Sequence, residues 1–230
     1  MPAPISVVIP TLNAAAGLPG SLGSLMEGLA EGLIREVVIS DGGSTDATLR
    51  LAEEAGARVI SGPASRGGQL RRGCAQARGD WLLVLHADTQ LSPGWAAVVG
   101  EHLREGHGQG QGQAGYFQLR FRAKGIWPFV VAGWANLRAR LFGLPYGDQA
   151  LLILREAYFA AGEYPDQPLM EDVALVRRLT ALTELSAQAS TSALRYQQQG
   201  WLRRGTGNLL TLLRYFLGAD PEKLARRYHK

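Results

Sequence analysis

The sequence predicts an α/β fold: a mostly parallel sheet flanked by helices, followed by a helical elaboration of the carboxyl half. Three observations predict it. Short β-branched runs alternate with amphipathic stretches through the first hundred or so residues, and units of that length imply parallel strands joined by right-handed crossovers. Trp81–His86 is an apolar run of strand length without polar alternation, as a central strand covered on both faces requires. Acidic and glycine-rich segments recur where strands should end, and in an open α/β sheet ligands bind at that edge.

The elements follow in order. Ile5–Ile9 is a β-branched strand; Pro10 stops it and Asn13 can start the next helix. Leu18–Leu33 places Leu18, Leu22, Leu25, Met26, Leu29 and Leu33 at helical spacing. Glu36–Ser40 is a second strand and Ala47–Ala55 a second helix, with Asp46 as its N-cap. Arg58–Ser61 is a third strand, Gln69–Ala77 a third helix and Trp81–His86 the fourth strand. Pro93–Arg104 reads as a helix. Gly106–Gly115, rich in Gly and Gln, reads as a flexible loop. Tyr116–Arg122 alternates as a half-exposed strand does. Trp127–Leu144 is an amphipathic helix, Ala150–Leu154 a strand, Met170–Leu182 a helix and Ala193–Tyr196 a late strand. Leu209–Leu217 is helical, and the tail ends in a second amphipathic stretch. With no internal repeat and no linker, the expectation is one domain over residues 1–230, with halves 1–105 and 106–230.

At 230 residues and 46% hydrophobic, the chain can bury a sizeable core, which excludes global disorder. The net charge of +4 suits anionic ligands or an anionic membrane surface. The basic residues are not interleaved with stacking aromatics, so nucleic acid is not an expected partner. Cys74 is the only cysteine, which excludes an intrachain disulfide and a multi-cysteine zinc site and leaves core packing. No charged leader precedes the first strand, and the uncharged apolar stretch Ile126–Leu137 is short of the ~20 residues a spanning helix needs. The expected location is cytoplasmic, with peripheral membrane contact left open. Trp201–Tyr228 is rich in Arg and Leu: either it lies on an anionic membrane and presents a lipid-linked acceptor, or it packs on the domain with a solvated basic face.

Five segments carry candidate chemistry. Pro10-Thr11-Leu12-Asn13 is either turn chemistry or a nucleotide wall. In Ser40-Asp41-Gly42-Gly43-Ser44-Thr45-Asp46, two glycines allow close approach of a ligand, and Asp41 stands where a carboxylate could accept from a base imide or a ribose. The phosphate cradle G-x-x-x-x-G-K-[ST] and the dinucleotide pattern G-x-G-x-x-G are both missing. Ser65-Arg66-Gly67-Gly68-Gln69 is either a solvated loop or an anion site at a helix start. His86-Ala87-Asp88-Thr89 ends the fourth strand: Asp88 either holds a divalent metal or caps the helix near Pro93. Glu171-Asp172 opens a helix, where acids also suit the macrodipole; the chemical reading makes Asp172 a general base.

In order and spacing these pieces resemble the inverting family 2 glycosyltransferases, which have a GT-A fold with a Rossmann-like nucleotide-binding half. The match runs through Ser6–Asn13, Val38–Asp46, Arg66–Asp88 and Glu171-Asp172. Leu85-His86-Ala87-Asp88-Thr89, Tyr146-Gly147-Asp148-Gln149-Ala150 and Met170-Glu171-Asp172 look like a subgroup often labelled arsenosugar-biosynthesis-type. The resemblance implies a nucleotide-diphosphate sugar donor and a divalent metal, Mn²⁺ or Mg²⁺. The acceptor it leaves open, as a small molecule or a lipid-linked one. Pro10, Thr11 and Asn13 would border the nucleoside, Asp41 would recognise the base, and Arg66 would face base or phosphates. Asp88 would be the metal-binding acid, Asp172 the catalytic base, and Glu171 beside it would orient the acceptor or the base. Asp148 and Gln149 would line the acceptor site. Residues 1–105 would bind the nucleotide sugar and residues 106–230 the acceptor.

Two positions depart from the family. His86 replaces the first acid of D-x-D, so Asp88 is the sole direct carboxylate, which Mg²⁺ tolerates when phosphate oxygens complete the shell. His86 is either a ribose or metal contact or a buried, satisfied histidine. Arg71 stands where relatives typically have Asn. The Q-x-x-R-W motif of processive synthases is missing. Two other functions compete. A nucleotidyltransferase would show a basic, Gly-rich loop after the first strand, and Pro10–Leu18 has no Lys or Arg. A non-catalytic nucleotide-binding protein could keep the same fold.

Overall fold

The apolar run at Trp81 forms β4 (Trp81–Val84), buried along its length, in the middle of one continuous eight-stranded sheet. The structure is a computed structural model that describes residues 3–105 and 113–228. Its strands are β1 (Ile5–Thr11), β2 (Ile34–Asp41), β3 (Arg58–Ser61), β4, β5 (Thr89–Leu91), β6 (Ala114–Phe121), β7 (Leu151–Leu154) and β8 (Thr183–Thr191). Their order across the sheet is β3-β2-β1-β4-β7-β6-β8-β5. β1 to β4 run parallel, and β7 joins β4 antiparallel, with Val84 opposite Leu151. β6 is antiparallel to β7 but parallel to β8. The expected mostly parallel α/β sheet is therefore present, with an antiparallel insertion at β7 and edge strand β5 antiparallel to β8.

Eleven helices surround it among the described residues: α1 (Leu18–Ser24), α2 (Met26–Ala30), α3 (Thr48–Glu54), α4 (Arg66–Gln76), α5 (Trp95–Glu105), α6 (Ile126–Phe142), α7 (Arg155–Ala160), α8 (Glu171–Val176), α9 (Leu194–Gln199), α10 (Trp201–Phe216) and α11 (Pro221–Tyr228). Alternate residues of a strand point to opposite faces, and β1 shows the consequence. Ile5, Val7 and Ile9 pack with Leu18, Ala52, Trp95 and Val99 from α1, α3 and α5. Val8 packs on the other face with Leu70, Cys74, Tyr158 and Leu175 from α4, α7 and α8. Cys74 is core, as expected, and burial pushes its thiol up to about 12.

Several sequence expectations shift. Pro10 does not end β1; it pairs with Ser40, and the strand continues to Thr11. The helix expected over Leu18–Leu33 breaks at Leu25, whose amide bonds the Leu22 carbonyl three residues back and tightens the turn. The helix expected over Met170–Leu182 stops at Val176. Ala193–Tyr196 is not a strand, since α9 begins at Leu194. The true late strand is β8, where Leu185, Ala187, Ala189 and Thr191 are buried in alternation; small Ala and Ser side chains give that period little contrast. Asp88 does not cap the following helix. The Glu27 carboxylate does, accepting from Gly94 N and Ala96 N at 3.0 Å each. Most of the loop expected over Gly106–Gly115 lies outside the described residues; its end, Ala114 and Gly115, already belongs to β6.

The carboxyl-terminal helices pack on the start of α8. Leu212 of α10 and Leu224 and Ala225 of α11 pack against Leu169, Met170 and Val173 around the start of α8, with Leu144 and Tyr146 alongside.

Candidate active site

Because β1, β2 and β4 run parallel, their carboxyl ends share one edge of the sheet. β7 starts at that edge because it runs the other way. Thr11–Asn13, Asp41–Asp46, His86–Asp88 and the turn Gly147–Gln149 therefore converge there. The start of α8 is tied to the same place: Gly147 N donates to Asp172 Oδ2 at 2.7 Å, and Arg66 Nε meets Glu171 Oε1 at 2.8 Å.

The loop after β2 is built around Asp41. Its Oδ1 accepts from Thr11 Oγ1 at 2.8 Å and Ser44 Oγ at 2.6 Å. Its Oδ2 accepts from Gly43 N and Ser44 N, both at 2.8 Å. Burial opposes ionisation, but the bonds from Ser44, Thr11 and Gly43 outweigh it and hold the carboxyl below its ordinary value. A carboxylate has about four acceptor positions; all are engaged, and Asp41 is fully buried. The expected base contact through this carboxylate is therefore not what the structure presents, and Asp41 and Thr11 instead shape the loop. Asn13 does not start a helix either. It sits at φ 50°, its amide donates to Ser44 Oγ at 2.8 Å, and its Oδ1 accepts from Thr45 N at 2.9 Å. Pro10 lies beneath this loop, half-buried.

Arg66 opens α4 and bridges two elements. Besides Glu171, its guanidinium reaches His86 Nε2 at 2.7 Å. Arg can only donate, so Nε2 is the acceptor and the ring proton belongs on Nδ1. Burial, then the charges of Arg66 and Arg195, push His86 well below its ordinary value and keep it neutral. His86 is thus a satisfied histidine, with Nε2 already engaged. Glu171 is 1% exposed, its Oε2 has no hydrogen-bond donor, and burial raises its carboxyl to about 7 despite Arg66. It holds Arg66. Gly147 is required here: a Cβ on it would lie 2.5 Å from His86 Nε2.

Three carboxylates surround this core. Asp172 accepts one backbone amide on each oxygen, Gly147 N on Oδ2 and Val173 N on Oδ1, the latter at 2.7 Å. Each oxygen keeps a second lone pair, so Asp172, unlike Asp41, retains acceptor capacity. Asp148 Oδ1 is buried without a donor. Burial first, then the neighbouring charges of Asp172 and Asp88, push Asp148 up to about 6 against the pull of Arg138 and Arg66. Asp88 is exposed in the turn after β4. Gln149, by contrast, is fully buried and donates to Phe117 O at 3.3 Å, which braces the turn.

No group of three or more His, Cys, Asp or Glu side chains among the described residues could hold a metal unaided. Exposed Asp88, with the donorless Asp148 oxygen nearby in the electrostatic sense, fits a cation held chiefly by substrate phosphates, since Mg²⁺ is bound through one or two carboxylates plus phosphates and water.

Backbone strain marks the same edge. Of the four non-glycine residues with positive φ among the described residues, Asn13, Ala150 and Met170 adjoin these segments, and such strain clusters where geometry is functional. Sequence reasoning missed Arg138 and gave Gln69 no role of its own within the Ser65–Gln69 segment. Arg138 stacks 3.5 Å over the Tyr146 ring and pulls on Asp148; its signal is a charged residue on the buried face of α6. Gln69 donates to Thr11 O at 2.7 Å and Ser40 O at 3.0 Å, pinning the ends of β1 and β2.

Comparison with known proteins gives a consistent picture. The model of glycosyl transferase family 2 matches residues 6–131. A PGL/p-HBAD biosynthesis glycosyltransferase of Mycobacterium bovis (strain BCG / Pasteur 1173P2) is 40% identical over 115 residues, 44% of each chain, and one of Mycobacterium tuberculosis (strain ATCC 25177 / H37Ra) matches equally. The chain thus spans less than half the length of these relatives. Among solved structures, S. aureus TarS 1-349 superposes with a TM-score of 0.62 at 15% identity, over 98% of this chain and 70% of that one. Glucosyl-3-phosphoglycerate synthase from Mycobacterium tuberculosis, in complex with Mn²⁺, UDP and glucosyl-3-phosphoglycerate, superposes with a TM-score of 0.54 at 24% identity, over 90% of this chain and 79% of that one. At these identities the two likenesses concern the fold.

Proposed function

The chain belongs to glycosyl transferase family 2, and from that premise we propose that it transfers a sugar from a nucleotide-diphosphate sugar to an acceptor hydroxyl, with inversion and with a divalent metal. One observation carries the reading. At the carboxyl edge Asp172 is fixed by Gly147 N and Val173 N yet keeps lone pairs for a proton, while Asp88 stands exposed on the loop after β4.

Residues 1–105 form the donor half, with the loops after β1 and β2 as the nucleoside wall. The base meets the surface shaped by Asp41 and not its carboxylate. Arg66, with 37% of its side chain exposed, remains reachable by phosphate. Asp88 would hold the metal, which when bound supplies charge neutralisation to the departing diphosphate. Asp172 takes the proton of the acceptor hydroxyl. The hydroxyl oxygen forms its bond to the anomeric carbon as the bond to the diphosphate oxygen breaks, and nucleoside diphosphate leaves with the electron pair. Residues 106–230 present the acceptor, with Asp148 at its approach. The segments around His86, Asp148 and Glu171 support placing the chain in the arsenosugar-biosynthesis-type subgroup.

The solved glucosyl-3-phosphoglycerate synthase of Mycobacterium tuberculosis holds UDP and Mn²⁺, so the test starts from UDP-sugars, with GDP- and ADP-sugars alongside, each with Mn²⁺ or Mg²⁺. Release of nucleoside diphosphate supports the reading. Release of pyrophosphate would assign a nucleotidyltransferase, and donor binding without any turnover a binding protein.

A further inference from the structure

Helix α6 has two opposed faces. Pro128, Ala132, Ala135, Arg138 and Ala139 are buried, packed towards Leu119 and Phe121 of β6. Ile126, Phe129, Val130, Trp134, Leu137 and Leu141 are exposed on the other side, Phe129 at 78%. Their spacing of three, four and seven residues sets them in one stripe. α10 packs beside α6 and repeats the arrangement. Leu202, Leu209, Leu213, Phe216 and Leu217 are exposed at helical spacing, flanked by exposed Arg203 and Arg214. Single exposed apolar side chains are ordinary; a contiguous face of them on neighbouring helices marks a docking surface.

Charge identifies the occupant. No Asp or Glu occurs between Glu105 and Asp148, or between Glu184 and Asp220. The stretches carrying both apolar stripes therefore hold basic side chains only, Lys124, Arg203 and Arg214 among them. Leu and aromatic side chains on one face with Arg and Lys beside them are what an in-plane helix at a lipid headgroup boundary requires. Trp127 and Trp134, both exposed on α6, suit the same depth. No helix among the described residues is long and apolar enough to cross a membrane, which leaves in-plane seating.

We propose that the exposed faces of α6 and α10 form one surface that seats the protein on a bilayer containing anionic lipid. The surface stands on its own geometry. Its consequence rests on the sugar-transfer reading: α6 leads through residues 143–146 directly into the turn that carries Asp148, so a hydroxyl acceptor anchored in the same bilayer would lie on the acceptor side of the site.

The test is co-sedimentation of the full chain with vesicles of phosphatidylcholine alone and of phosphatidylcholine with phosphatidylglycerol. Binding should favour the anionic vesicles and weaken with salt. Arg203→Ala with Arg214→Ala should weaken it on the order of 25-fold, about fivefold per charge. Phe129→Ser with Leu213→Ser should abolish it, with melting temperatures unchanged because both positions are exposed. A folded wild type that ignores anionic vesicles overturns the proposal, as does binding that neither variant alters. So does a dimer in light scattering that the Phe129 and Leu213 variant dissociates without any vesicle binding, which would give the face to a second copy. Vesicle binding without sugar transfer would leave this surface and remove the transfer reading; transfer to soluble acceptors without vesicle binding would do the reverse.

Discussion

Replacing Glu171 with Gln should change the pH dependence of stability in a calculable way. The carboxyl is 1% exposed, and burial, only partly offset by Arg66, raises it from 4.5 to about 7. The folded state therefore binds this proton more tightly than the unfolded chain does. Its stability contribution is full below pH 4.5 and is lost as pH rises through about 7. At about 1.4 kcal/mol per pH unit, that interval corresponds to about 3 kcal/mol. Gln keeps an oxygen for Arg66 Nε but cannot ionise, so it escapes the loss. For a chain of this size, 1 kcal/mol moves the melting temperature by roughly 2–4 °C. Thermal unfolding of both proteins from pH 4.5 to pH 8 should show the variant gaining roughly 6–12 °C on the wild type across the range. Taking the difference cancels the titrating groups that do not interact with Glu171. A difference that stays constant with pH would refute the claim that Glu171 is buried at a cost.

Gly147→Ala should lower stability by about 1–3 kcal/mol, because the new Cβ would press on His86 Nε2 at 2.5 Å; unfolding in urea measures it, and donor turnover should fall with it as Arg66 loses its partner. Glu27→Ala removes the carboxylate that caps α5 and should cost about 1 kcal/mol while leaving turnover unchanged, since α5 lies away from the carboxyl edge. Asp88→Ala should abolish the metal dependence of nucleotide binding in titration calorimetry; unchanged metal-dependent affinity would move the metal elsewhere.

The sheet was legible because its central strands are long apolar runs: Ile5–Ile9 and Trp81–Val84 fall on β1 and β4. β8 escaped because its buried positions are largely Ala and Thr, whose contrast with intervening Ser and Gln is slight. The helix break at Leu25 escaped because apolar spacing continues across it. At the site, strand ends pointed to Asp41 and Asp88 at one edge, and the family resemblance joined Arg66, His86, Asp148 and Glu171-Asp172 to them. Which of them are internally committed was not legible. Asp41, His86, Gln149 and Glu171 are spent on the loop, on Arg66 or on the turn before β7, and only side-chain packing reveals it. Local patterns carry no information on partners 30 residues or more distant, such as Thr11 to Asp41 and Arg66 to Glu171.

The most direct test of sugar transfer at this edge is Asp172→Asn, which keeps the shape and one accepting oxygen for the two backbone amides but removes the base. Donor affinity by calorimetry should match the wild type while the transfer rate falls by about 10²–10⁴-fold. A variant that binds donor and turns over at the wild-type rate would contradict Asp172 as the proton acceptor and, with it, the mechanism at the carboxyl edge.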